Sequence, residues 1–366
     1  MNIYTVTYLI NNYGSILQAY ALQKRLIELG GSPIIIKKEA PEKESFLHSL
    51  RTILRPQKHY SLFQRIKKER QKKYFKIKNS KISSFIHTNL SVLEISDMER
   101  FKRSVHSNDV FIAGSDQIWN VMNLTLSSWY SLQWINSDKK YSYAASIGLD
   151  KLNEAQNKLY VEGLADFETI SLRESQAVTL LAPLFNGKNV RQDLDPTLLF
   201  DGSFWRKMES ERLIKEPYVF VYMLRPDMNV IELAKQVAKE KGIKVIYTGL
   251  YADKMAGVTT ICDAGIEEFL SYIDNAEAVI TNSFHGTVFS VLFNRPFLSV
   301  KLETTSSRVE SLLKIIGMES RLVQAPFDSI DIPDVDYQKA EQILGVERKK
   351  SLEYLSMICK DNGLES

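Results

Sequence analysis

The stretch that most constrains this chain is AVITNSFHGTVFSVLFNRPFLSV, residues Ala278 to Val300. A strand-like apolar start breaks at a polar crest of Asn282, Ser283, His285 and Gly286. An apolar run with helical spacing follows, stops at Asn294-Arg295-Pro296, and gives way to a second strand-like run. This pattern predicts a β-turn-α-turn-β unit whose crest lies at the carboxyl end of its first strand. In parallel α/β sheets, ligands collect at such ends. His285 is the only histidine in the last two-thirds of the chain. Imidazole titrates near neutrality, which suits it to move protons.

The same alternation runs through the rest of the sequence. Ile3–Thr7 reads as a strand, followed by a loop to Gly14, a helix over about Ser15–Leu29, Gly30-Gly31 as its C-terminal cap, and a strand at Pro33–Ile36. The glycine fingerprint of a dinucleotide site is missing from this first βαβ unit. Asp109–Ala113 reads as a buried strand, Lys140–Ser146 as another, and Thr169–Glu174 as a strand entering a helix. Val190–Asp193 and Asp195–Leu199 close the first half. Asp201–Glu216 reads as a connector, after which Tyr218–Leu224, a helix from Asp227 to Lys241-Gly242, Lys244–Thr248, a helix over Gly265–Ile273 and the opening unit follow in order. Phe297–Lys301, a helix over about Ser306–Ile316 and a long amphipathic helix over Tyr337–Lys360 complete the chain. The expectation is an α/β protein of two facing Rossmann-like domains with a cleft between them. Residues 1–205 form the first domain, on the acceptor side, and 206–335 the second, on the donor side. Residues 336–366 carry a helix that packs back on the first domain.

Composition narrows the class. Of 366 residues, 44% are hydrophobic and 25% charged, as in soluble globular proteins. MNIYTVTYLI lacks a basic leader and reads as a first strand, not a signal peptide. No apolar run approaches the ~20 residues that span a bilayer. Two distant cysteines, Cys262 and Cys359, suit a reducing cytoplasm. Neither they nor the scattered Asp116, Asp193 and Asp195 offer metal-ligand spacing, so no metal is expected. The net charge of +3 hides a block from Arg51 to Lys81 with twelve Lys or Arg against Glu69 alone. This basic excursion, about residues 42–90, is either a solvated helical segment packing Leu62, Phe63, Ile66, Tyr74 and Phe75 inward or a peripheral contact with an anionic membrane face. No nucleic-acid motif accompanies the charge.

Several segments together resemble the polysaccharide pyruvyl transferases: NNYGSILQAYAL (Asn11–Leu22), AGSDQIWN (Ala113–Asn120), YAASIG (Tyr143–Gly148), SLRE (Ser171–Glu174), DPTLL (Asp195–Leu199) and TNSFHGTVFSVLFNRPF (Thr281–Phe297). The ordered set spans residues 1 to about 320. The resemblance implies a fold similar to GT-B glycosyltransferases. It also implies transfer of a pyruvyl unit from phosphoenolpyruvate to a saccharide as a ketal, with release of phosphate, in cell-surface polysaccharide biosynthesis. No further cofactor is implied, and the acceptor is a saccharide, free or lipid-linked.

That chemistry needs fixed cations for an anionic donor, and Arg173 and Arg308 are the candidates, with Asn282 and Ser283 as hydrogen-bond donors beside them. It needs an acid for the methylene carbon and a base for the sugar hydroxyl; His285 is the candidate for one role, or else caps its helix and binds phosphate. Asp116 is a base, an orienter of a sugar hydroxyl, or an N-cap for the turn after it. Trp119 stacks on a sugar or fills core. Asn12, Tyr13, Gly14 and Ser15 form an anion-binding helix start or an ordinary turn. Glu174 bonds Arg173 or the acceptor, or favours a helix start by its charge. Some family members carry Arg two positions before the histidine, where this chain has Ser283; Arg308, Lys301 or Arg295 is left to substitute. The competing readings are a nucleotide-sugar glycosyltransferase of similar fold, for which Glu303 is the one acidic ribose-binding candidate between strand and helix, and a non-catalytic saccharide-binding protein.

Overall fold

The computed structural model describes residues 2–39, 62–224, 226–249, 255–302, 307–327 and 330–360, with backbone only for 62–71. Two parallel sheets organise it. The first runs in the order β3-β2-β1-β4-β5 and the second β10-β9-β8-β11-β12-β13. In chain order the strands are β1 Ile3–Val6, β2 Pro33–Lys38, β3 Val92–Ile95, β4 Val110–Ala113, β5 Lys140–Ser142, β6 Thr169–Leu172, β7 Asn189–Gln192, β8 Tyr218–Met223, β9 Lys244–Gly249, β10 Val258–Ile261, β11 Ala278–Thr281, β12 Phe297–Val300 and β13 Leu322–Val323. The central strands β1, β4, β8 and β11 are wholly buried, because helices cover both faces of a parallel sheet. This is the expected arrangement of two Rossmann-like, GT-B-like halves.

The strand order places the site. In each sheet the winding reverses between two central neighbours, β1 and β4 in the first sheet, β8 and β11 in the second. Loops leaving the carboxyl ends of such neighbours part and leave a crevice. The helix after β1, Tyr13–Glu28, begins two residues earlier than expected because Asn12 caps it, its Oδ1 accepting from Gly14 N at 2.9 Å. The helix after β11, Phe284–Leu292, is capped by Ser283. Asp227 and a left-handed Gly242 bound the helix Met228–Lys241 as their residue types predict.

The halves are tied by side chains that cross between them. Tyr13 donates to Ala264 O at 2.9 Å and stacks on Phe269 at 4.4 Å. Lys81, on the helix Leu62–Asn89, pairs with Glu268 at 2.6 Å. The C-terminal helix Tyr337–Lys360 packs back on the first half: Tyr354 donates to Ser142 O at 3.0 Å, and Ser351 Oγ accepts from Leu194 N at 3.1 Å.

Some local expectations are corrected. The strand expected over Lys140–Ser146 is regular only to Ser142, because Ala144 turns left-handed at φ 46°. Ala145 then bridges Asp116 and Leu172, joining β6 and β7 to the sheet. The connector after Asp201 holds a helix, Gly202–Arg206, that buries Trp205 completely. The edge strands β3 and β10 had no clear sequence signal, since half-exposed edges need no apolar run. Tyr74 and Phe75 are half-buried. Residues 40–61, the side chains of Leu62, Phe63 and Ile66, and Glu303 lie outside the described residues.

Candidate active site

Two helix starts meet at the crevice. The imidazole of His285 lies flat against Gly14: a Cβ built there would stand 2.0 Å from Nδ1 and 2.3 Å from Cγ. Only glycine admits that approach. The next residue obeys the same logic, since a Cβ on Gly286 would stand 2.3 Å from Thr281 Oγ1 and push the histidine's helix off β11. Gly14→Ala is therefore expected to displace the ring and lower turnover at least tenfold, at a stability cost of about 1–3 kcal/mol. Steady-state kinetics beside thermal unfolding checks this; an unchanged kcat would show that ring placement does not matter.

The other edge of the ring faces a buried carboxylate. His285 Nε2 is 3.6 Å from Asp195 Oδ2, and both side chains are almost wholly enclosed. That is an ion-pair separation, longer than a hydrogen bond. Asp195 also accepts from Arg173 Nη1 at 2.7 Å, Thr197 Oγ1 at 2.6 Å, Thr197 N at 3.0 Å and Ser115 Oγ at 3.2 Å. Burial alone would raise its pKa, but His285, Arg173 and Thr197 outweigh burial and hold the carboxyl well below the usual range. Asp195 is thus a fixed anion facing the Nε2 edge of the imidazole.

Arg173 is held rigidly and left unsatisfied. Asp195 takes one Nη, and the guanidinium plane lies over the Phe284 ring at 4.4 Å. Its Nε is 4.0 Å from Glu174 Oε2. Nε and Nη2 are buried without a hydrogen-bond partner among the described residues. Buried charged donors in that condition are costly; Glu174 Oε2, itself buried without a hydrogen-bond partner among the described residues, is the anion nearest Nε, and a further anion is what would complete Nη2.

The crevice between the two helix starts encloses about 280 Å³. Asn12, Asp116 and Gln117 line it from the first sheet's loops, and Phe284, His285 and Arg308 from the second's. Arg308 stands in the first turn of the helix Ser307–Ile316. With its amide oxygen turned inward, Gln117 accepts from both Nη atoms at 2.8 and 3.1 Å. Asp116 adopts φ 78°, a left-handed conformation that Asp tolerates better than most residues. Its Oδ1 accepts from Gln117 N at 2.9 Å, so the carboxylate shapes its own turn while lining the cleft.

A family model for polysaccharide pyruvyl transferases matches residues 12–303. The chain belongs to that family. The match takes in β2 to β12 and every residue of the His285–Asp195–Arg173 cluster. A comparison with curated proteins gave no match. Among solved structures, the chain is similar to a UDP-N-acetylglucosamine 2-epimerase from Rickettsia bellii, at 11% identity and TM-score 0.46, covering 98% of each chain. It is also similar to UGT89C1 from Arabidopsis thaliana complexed with quercetin, at 11% identity and TM-score 0.48, covering 100% of this chain and 96% of that one.

Other residues singled out in this pyruvyl transferase family chain take places away from the crevice. Trp119 is fully buried, donates to Tyr130 O at 3.0 Å and packs edge-on against Phe167, so it fills core. Glu174, also fully buried, accepts through Oε1 from Ser146 Oγ, Ile147 N and Gly148 N, each at 3.0 Å, and so holds the YAASIG loop; its Oε2 faces Arg173 at 4.0 Å. Tyr13 is spent on the contact between halves, and Ser15 Oγ donates to Tyr8 O at 2.7 Å. Asn282 Oδ1 accepts from Leu224 N at 3.2 Å, tying β11 to the end of β8, and Ser283 Oγ accepts from Gly286 N at 3.4 Å. Of the cations left to replace the family's arginine at Ser283, Lys301 pairs with Glu310 and Arg295 with Asp274, whereas Arg308 lines the cleft. Sequence reasoning missed Asp195 as a site residue, although it lies within the quoted DPTLL segment. It also missed Tyr8, which lines the cleft edge-on to Tyr130 at 4.7 Å.

Proposed function

We propose that this protein transfers the pyruvyl group of phosphoenolpyruvate to two hydroxyls of a saccharide, forming a ketal and releasing phosphate. The observation that carries the reading is the pair of buried, unsatisfied Arg173 donors beside His285, whose far edge is backed by the Asp195 carboxylate. A small donor with two anionic groups, a carboxylate and a phosphate, fits that demand. Its carboxylate and phosphate oxygens meet Arg173 Nε and Nη2 on one side and Arg308 on the other.

The proton movements follow from the placement. His285, steadied as imidazolium by Asp195, gives a proton to the methylene carbon and leaves developing positive charge on C2. The first sugar hydroxyl adds there and its proton passes to Asp116. Phosphate then leaves, taking the electron pair of its C–O bond, and the second hydroxyl closes the ketal. Asp116 gives the first hydroxyl's proton to the departing phosphate and the second hydroxyl's proton restores the imidazolium, so atoms and charge balance. Gln117 and Asn12 line the same crevice and orient the acceptor.

Titration calorimetry distinguishes this reading from its nearest rival. Phosphoenolpyruvate is expected to bind, and UDP-sugars are not. Binding of UDP-sugars without phosphoenolpyruvate would overturn the proposal in favour of a nucleotide-sugar glycosyltransferase.

A further inference from the structure

Three apolar side chains stand exposed at or beside the mouth of the cleft. Ile10, which lines the cleft, is 53% exposed; Met122 and Leu124, just beyond the cleft-lining Asn120, are 49% and 54% exposed. Met122 is tied to the cleft directly, its N donating to Asn120 Oδ1 at 3.0 Å. Leu124 holds φ 52°, a left-handed conformation unfavourable for leucine, yet its side chain gains no burial in return. Strain without a packing gain marks a segment shaped for something other than the core.

Positive charge stands beside this rim. The helix Leu62–Asn89 holds one acidic residue, Glu69. Past its midpoint it is anchored to the cleft loop: Asn79 bonds Asn11, next to Ile10, and Lys78 lies over the Tyr13 ring at 4.1 Å. Lys72, Lys73 and Lys76 are exposed, about 5–10 Å along the axis from that anchor. Exposed apolar tips beside a cluster of lysines match the two layers of an anionic bilayer surface, acyl boundary and headgroups. A nucleic acid would answer the charge and leave the apolar rim unused.

We propose that the cleft mouth is a docking face for an anionic phospholipid bilayer, with Ile10, Met122 and Leu124 entering the interface and Lys72, Lys73 and Lys76 meeting the headgroups. No helix among the described residues is long and apolar enough to cross a membrane, so the contact is peripheral. The cleft would then open towards the membrane, where a lipid-linked saccharide presents its hydroxyls.

Vesicle co-sedimentation of the full chain tests this without donor or acceptor, so its result is independent of the reaction proposed above. Vesicles of phosphatidylglycerol and phosphatidylcholine should bind the protein, more weakly as salt rises, and pure phosphatidylcholine should not. The triple variant Lys72→Gln, Lys73→Gln, Lys76→Gln should lose about fivefold in partitioning per lysine, about a hundredfold together. Met122→Ser with Leu124→Ser should weaken binding further at high salt, where charge is screened. Circular dichroism confirms that each variant is folded. Equal binding to neutral and anionic vesicles, no binding to either, or undiminished binding by the triple variant would overturn the proposal. So would lysine-dependent binding of duplex DNA without vesicle binding.

Discussion

His285→Ala is expected to lower kcat by about 10²–10⁴-fold while the protein remains folded. The ring occupies a slot between Gly14 and Asp195, on a helix whose start is held by Ser283 and whose apolar body anchors it to β11. Removing the imidazole leaves that scaffold in place, and the void it creates opens towards the cleft. His285→Gln keeps bulk and hydrogen bonding but cannot cycle a proton, so it should be nearly as slow as alanine. That comparison separates proton transfer from phosphate binding: a ligand-only histidine would be partly rescued by glutamine and would show its loss in KM. Comparable kcat in the alanine variant would remove His285 from the chemistry.

Arg173→Met is expected to destabilise the fold by about 3–5 kcal/mol, because it strands the buried Asp195 carboxylate without its permanently charged partner. Arg173→Lys keeps the charge and should fold. It cannot present a second pair of donors to an oxyanion, so the phosphoenolpyruvate KM should rise at least tenfold. The pH dependence has a definite sign. Asp195 has a folded pKa below its unfolded value, so the pair's contribution is complete above the ordinary carboxylate range, near pH 4. It is lost progressively as pH falls towards the depressed folded value. Asp195→Asn should therefore be less stable than the parent at neutral pH, and the gap should narrow in acid. Chemical denaturation at pH 7 and pH 3 measures both; a constant gap would show that folding does not lower the Asp195 pKa.

Much of this architecture was legible because period and punctuation agree along the chain. Asp227 and Gly242 mark their helix by residue type alone, and the crest at Asn282–Gly286 announces a strand end. Pairings between distant side chains were not legible. Asp195 caps its own Asp-Pro turn, its Oδ1 accepting from Thr197 N; its contact with a histidine ninety residues later exists only once both sheets are built. Arg173 stood out as a cation at a strand end, yet nothing local reveals that it is locked to Asp195. Trp119 and Glu174 lie in segments that lead to the cleft but turn inward, one into the core and one under a loop, and sequence spacing cannot distinguish these directions.

The central claim is tested most directly by mass analysis of a saccharide acceptor after incubation with phosphoenolpyruvate, with released phosphate counted in the same reaction. The account predicts an acceptor heavier by pyruvate minus water, formed one for one with phosphate and absent with His285→Ala. Phosphate release with acceptors of unchanged mass, or glycosyl transfer from a nucleotide sugar by the same preparation, would contradict it.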